Sequence, residues 1–142
     1  MRSLVLVPLL LIACHKNEPG PKAPESGGVV TVAAQIDQGK QLYVDKCAKC
    51  HGDAGQGTAK GPPVVGAEAF PQKPRDNAKR NVEFHTAADV FAWAAKHMPG
   101  DAPGSLSTDQ YLAIFAFDLT ANGIKLDKPL DGPAAEAIVL HP

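Results

Sequence analysis

The 142-residue chain has room for one compact domain and short appendages, because a single core takes roughly 100–150 residues. Charged residues make up 20% and the formal net charge is -1, which excludes the broad basic surface that a nucleic-acid backbone demands. Thirteen glycines and thirteen prolines indicate a loop-rich domain held together by something besides its own side chains.

The chain opens with "MRSLVLVPLLLIAC", one positive charge at Arg2 followed by an apolar run from Leu4 to Ala13. This reads as an export signal, too short for a membrane span of about 20 residues. Its ending, Leu11-Ile12-Ala13-Cys14, resembles the lipobox of bacterial lipoproteins, which implies that residues 1–13 are removed and that the Cys14 thiol receives a diacylglyceryl group. An ordinary signal peptide with an incidental Cys14 is the alternative. Two acyl chains suffice for stable anchoring, so the expected location is the periplasmic side of a bacterial membrane. His15 stands where retention signals often carry aspartate and favours the outer membrane over the inner. Residues 14–33, rich in Pro, Gly and charge, read as an extended linker.

From Ala34 the pattern changes. Ile36, Gly39, Tyr43, Cys47 and Cys50 recur at steps of three or four, one stripe of a helix. Gly39 in its interior costs about 1 kcal/mol against alanine, which points to another backbone passing close. A second helix is signalled by Thr86 with Asp89 three residues on, then Val90, Phe91, Trp93 and Ala94, stopping near Met98-Pro99-Gly100. A third starts at a capping box of Ser107 and Gln110, carries Tyr111, Leu112, Phe115 and Leu119, and stops at Asn122-Gly123. No run alternates long enough for a strand. The long loops between helices bury little, unless a large apolar group gives them a common surface to pack on.

Such a group is indicated by "CAKCH", Cys47 to His51. Two cysteines three apart at a helix end project to one side, where their sulfurs can add to the two vinyl groups of one haem while His51 ligates the iron. Three other readings compete. A zinc site needs four Cys or His ligands, a thioredoxin-like dithiol needs an alternating strand and helix context, and a plain disulfide across Cys47 and Cys50 needs no cofactor. Neither a second paired motif nor a strand pattern is present to support the first two.

Over roughly residues 34–123 the chain resembles the class I monohaem cytochrome c family. Gly39 and Tyr43 match that family's glycine and aromatic on the N-terminal helix, and Gly61-Pro62 followed by Val64, Val65 and Gly66 matches the loop beneath the haem, with valine where leucine is usual. The resemblance implies an all-α, cytochrome c-like fold, with three main helices and long loops around one covalently attached haem c, and a helix crossing in which Phe115 and Leu119 receive Gly39 and Tyr43. It implies that the Pro62 carbonyl accepts a hydrogen bond from the second ring nitrogen of His51. It also implies that Met98, the only methionine beyond the leader and followed by Pro99, is the sixth ligand, with neighbouring His97 as its competitor. Trp93 reads as simple packing rather than a propionate partner, Arg75, Lys79 and Arg80 as a solvated charge cluster, and His85 and His141 as surface residues.

His51 and Met98 on opposite sides of one iron leave no position for substrate, so the expectation is an electron carrier that is not an enzyme, with no small-molecule substrate and brief contacts with redox partner proteins. Lys46, Lys49 and Lys60 are candidate steering charges around the exposed haem edge. A haem subunit of a periplasmic dehydrogenase is the alternative function; a gas binder or peroxidase, needing a vacant axial position, is a further one. Residues 124–142 lie beyond the basic family fold and contain Ile138-Val139-Leu140, apolar enough to be expected to pack back on the domain.

Overall fold

The computed structural model describes residues 30–76 and 78–141. The leader, Cys14 and nearly all of the expected linker lie outside these residues. Among the described residues five helices follow in order: α1 (Val32–Lys46), α2 (Ala48–His51), α3 (Ala87–His97), α4 (Thr108–Ala121) and α5 (Gly132–Ala137). Among the described residues there is no strand, only an isolated antiparallel bridge between Thr86 and Val139. No described helix is long and apolar enough to cross a membrane.

The local signals act where they stand. Thr31 caps α1 by accepting from the Ala34 amide at 3.1 Å, so the helix starts ahead of the expected Ala34 and takes its first turn from the linker. Thr86 with Asp89 and Ser107 with Gln110 form full capping boxes at α3 and α4. Each satisfies amides that the first helical turn leaves without partners. Asn122 ends α4, and Gly123 takes the left-handed conformation that glycine adopts without strain.

α4 is the centre of the fold. Seven apolar residues between Tyr111 and Leu119 are buried on it, and they cover both of its sides, the signature of a helix packed all round. One side meets α1, where a Cβ on Gly39 would stand 1.8 Å from the Ala113 carbonyl oxygen. There Tyr43, 1% exposed, packs with Ile114 and against Phe117, ring centroids 5.4 Å apart. The expected partners, Phe115 and Leu119, instead face a second cluster with Phe70, Phe84, Val90 and Leu130. A stripe read by period alone cannot assign partners on a helix that is buried on both sides.

The segment after Gly123 joins this second cluster through Leu130, Ala134 and Ala135, and α5 packs on α3. Of the triplet expected to pack back, Ile138 and Leu140 are partly buried and Val139 is 59% exposed. The firmer anchor is Gln35. Its amide donates to the Leu130 carbonyl at 2.9 Å and its side-chain oxygen accepts from the Leu130 N–H at 2.7 Å, both buried.

Candidate haem site

Between α1, α4, the turn after α3 and the loops on either side of Phe70 lies a cavity of about 560 Å³, within the range of pockets that hold cofactors. Cys47, Cys50 and His51 line it, and so do Pro62 and Met98, brought there from separate segments. Its remaining wall is largely apolar, with Val64, Phe70, Val90, Ile114 and Phe115.

α1 and α2 place the motif. The Cys47 N–H closes the last turn of α1 on the Tyr43 carbonyl at 2.8 Å, and Cys47 in turn begins the single turn of α2, which carries Cys50 and His51. The Tyr43 hydroxyl donates to the Gly52 carbonyl at 2.8 Å, tying α1 to the end of α2. Both cysteines are free thiols, so no disulfide joins them. Burial first, then Asp118 and Cys50, push the Cys47 thiol up to about 12. Among the described residues no group of three or more His, Cys, Asp or Glu side chains is gathered as a metal cluster, so the four-ligand zinc alternative finds no donor set there.

His51 Nδ1 lies 2.6 Å from the Pro62 carbonyl oxygen. With Nδ1–H donating to that carbonyl, Nε2 keeps its lone pair for a metal. The loop comes this close because Gly61 has no side chain: a Cβ there would meet the Cys50 carbonyl oxygen at 2.9 Å and His51 Cε1 at 3.2 Å. Asn122, expected only as a helix stop, clamps the same loop to α4. Its side chain donates to the Val64 carbonyl at 2.8 Å and accepts from the Gly66 amide at 2.9 Å.

Met98 caps α3, its N–H on the Ala94 carbonyl at 2.8 Å, and its own carbonyl accepts from the Tyr111 hydroxyl. The competitor His97 points elsewhere. Its ring stacks on Trp93 with centroids 4.7 Å apart, and its Nδ1 is 2.7 Å from the Trp93 carbonyl, beside a second pocket lined by Val82, Glu83 and Asp89 rather than on the cavity. Trp93 lines the cavity and packs edge-on against Phe84.

Three polar residues depart from expectation. Arg80 is 8% exposed and not part of a solvated cluster: its guanidinium donates to the carbonyls of Pro71, Gln72 and Val82 and lies 3.8 Å over the Phe84 ring. His141 is partly buried, with Nε2 2.6 Å from the Phe70 carbonyl. Asp118, unremarked in the sequence, is 5% exposed on the cavity wall, and its Oδ1 has no hydrogen-bond partner. Arg75 donates to the Glu68 carbonyl, and Lys49 lies 3.7 Å from Asp101 on the exposed side.

The residues present fit a covalently held haem. Two free thiols and an oriented imidazole stand on one part of the cavity, a thioether on another, and an apolar wall lies between.

Comparison with known proteins agrees. The family described as Cytochrome c matches residues 36–120. A thiosulfate dehydrogenase from Stutzerimonas stutzeri is 34% identical over 92 residues, covering 61% of this chain and 26% of the relative. One from Psychrobacter arcticus is 29% identical over 133 residues, covering 86% of this chain and 38% of the relative. The chain thus spans well under half the length of these curated relatives. Among solved structures, the sulfane dehydrogenase SoxCD from Paracoccus pantotrophus is similar with a TM-score of 0.57 and 25% identity, over 86% of this chain and 67% of that one.

These names correct the expectation of a chain that is not an enzyme, since the relatives and the structural neighbour are all named dehydrogenases. That expectation rested on His51 and Met98 leaving no position for substrate at one iron, which does not bear on whether such a chain serves within a dehydrogenase. Because the matched stretch runs from α1 through α4 and takes in both the Cys47–His51 motif and the Met98 turn, the chain belongs to the cytochrome c family of electron-transfer proteins and carries a covalently bound haem c.

Proposed function

We propose that this chain is the haem-bearing electron-transfer part of a dehydrogenase acting on a reduced sulfur compound, passing one electron at a time to a redox protein partner. The observation that carries it is the convergence of His51 and Met98, from distant segments, on the cavity that also holds Cys47 and Cys50. The named relatives supply the substrate class, thiosulfate or a sulfane sulfur.

When bound, haem supplies a one-electron store whose ferrous form a thioether ligand favours, raising the potential. The protein does the rest. Cys47 and Cys50 would hold the group covalently, and His51, steered by Pro62, would offer Nε2 to the iron. Met98, seated by Tyr111 and Ala94, would offer its sulfur. Val64, Phe70, Val90, Ile114 and Phe115 would shield the group from water along the apolar part of the wall.

The reading extends to the N-terminus: Cys14 carries the lipid and residues 14–33 form the tether, holding the domain on the periplasmic side of a membrane, with the outer membrane favoured. Its support is the Leu11-Ile12-Ala13-Cys14 pattern. Incorporation of labelled palmitate into the wild type and not into Cys14→Ser is the expected result; equal labelling would sink the anchor.

The haem reading is tested by expressing the full chain with haem-attachment machinery. The wild type should show covalent haem, a weak far-red sulfur-to-iron band and slow carbon monoxide binding when reduced. Met98→Ala should lose the band, fall in potential and bind carbon monoxide. Identical spectra and potentials for the two proteins would remove Met98 from the iron. Thiosulfate-dependent reduction of the haem in the presence of the native host's periplasmic fraction tests the substrate class, and no reduction there would contradict it.

A further inference from the structure

Asp118 is a carboxyl where packing alone calls for an apolar residue. It sits on α4 between Phe117 and Leu119, 5% exposed, with Oδ1 lacking any hydrogen-bond partner, and it lines the same cavity as Cys47, Cys50, His51 and Met98. Holding a carboxylate there without partners is costly, and ordinary proteins satisfy or avoid such groups.

From α1, the element packed against this part of α4, the titratable groups near it are the Tyr43 hydroxyl and the Cys47 thiol. Neither compensates a negative charge. The Tyr43 proton is given to the Gly52 carbonyl and burial holds the phenol neutral; the Cys47 sulfur is committed to the haem linkage. Among the described residues no ion pair reaches Asp118. The cavity's cations are Lys46 at the end of α1, Lys49 and Lys60 around the motif, and Arg75, Lys79 and Arg80 in the loop after Phe70.

Resting on the haem reading above, we propose that Asp118 is a proton-binding residue coupled to the iron, taking up a proton when the haem is reduced and releasing it when the haem is oxidised. An oxidised centre carries one more positive charge than a reduced one, and beside a side chain as buried as Asp118 that charge is screened less than it would be in water. It favours the carboxylate, while its loss favours the acid. Desolvation already drives Asp118 well above the ordinary carboxylate range, which brings the exchange toward neutral pH. The step balances simply. A one-electron donor reduces ferric to ferrous iron, one proton from solvent forms an O–H bond on the Asp118 carboxylate, and no other bond changes. Electron and proton then enter together, so the buried site keeps its net charge.

The test is the midpoint potential of the full-length holoprotein from about pH 5 to about pH 9, for the wild type, Asp118→Asn and Asp118→Leu. The wild-type potential should fall with rising pH, toward a limiting slope of about 59 mV per tenfold change in proton activity for one proton per electron. Both variants should be flat across that window, close to the wild type's acid-side potential. The reduced-minus-oxidised infrared spectrum of the wild type should show a protonated-carboxyl band that Asp118→Asn lacks. Asparagine keeps the shape of the side chain and removes only the titration, so folding is preserved.

A flat wild-type potential, or a slope that survives in both variants, overturns the proposal. The two readings fail distinguishably: a chain without haem bands overturns the proposed function and this inference with it, whereas a normal His/Met spectrum with a pH-independent potential overturns this inference alone.

Discussion

Gly39 of α1 rests directly on the carbonyl of Ala113 in α4, where a Cβ would fall 1.8 Å from the oxygen and 2.5 Å from the carbon. The obstacle is backbone, so no side chain can swing aside to make room. Gly39→Ala is therefore expected to force the two helices apart at the crossing that also seats Tyr43, despite alanine's better helix propensity. The expected loss is about 3 kcal/mol or more, the upper end for overpacking, read by denaturant melts of the holoprotein. A wild-type midpoint would mean that the helices do not meet there.

Removing Gln35 should loosen the C-terminal segment. Gln35→Ala leaves the buried Leu130 N–H and carbonyl without their partners, and a buried unsatisfied group costs about 1–3 kcal/mol. Faster amide exchange at Leu130 and through α5 is expected, with α1 little changed. Gln35→Glu keeps an acceptor for the Leu130 N–H but sets a carboxyl oxygen against the Leu130 carbonyl, so at neutral pH it should cost at least as much as Gln35→Ala.

Asp89 provides a pH-dependent element. Backbone N–H groups of Thr86 and His85 hold its carboxyl below the ordinary value of 3.8, so the folded state favours the carboxylate. The stability it contributes is present above the unfolded value and is lost as pH falls through the lowered one. Asp89→Ala should cost about 1 kcal/mol at neutral pH, the usual worth of a helix cap. The gap from the wild type should begin to narrow as the solution is acidified below about 4 and close once the pH lies under the lowered folded value, where both states bind the proton. A gap that stayed constant with pH would place the effect in packing.

Asn122→Ala should release the loop beneath the haem. The Val64 carbonyl and the Gly66 amide lose their side-chain partner on α4, at an expected cost of about 2 kcal/mol for the pair. Broadened NMR amide signals across Val64–Gly66 and a shifted His51 ring N–H, whose acceptor is in the same loop, are the readouts. An unmoved His51 signal would show that Pro62 is held independently of α4.

His97→Ala is expected to leave the visible spectrum and potential of the holoprotein as they were. His97 is stacked on Trp93 and bonded to the Trp93 carbonyl, outside the cavity. A changed far-red band would bring it back as a ligand.

The elements legible beforehand share a physical trait, which is that their causes lie within a few residues of one another. Ser107 with Gln110 and Thr86 with Asp89 start helices by bonds spanning three residues. The spacing of Cys47, Cys50 and His51 sets their common direction at a helix end. Pro62 and Met98 are legible only through the family resemblance, because nothing local says which distant segments will share a cavity.

What chain order alone could decide was the attachment motif, the three main helices and the need for a bound group to fill a loop-rich domain, since short-range bonding and helical period act on neighbouring residues. Tertiary structure decided which charges are buried and what each long-range bond joins: Arg80 inside its loop, His141 on Phe70, Gln35 on Leu130, and Asp118 beside the haem cavity. Such contacts link positions tens of residues apart. Burial is a property of the packed whole, and a carboxyl group reads the same in a sequence whether water or an apolar cavity lies next to it.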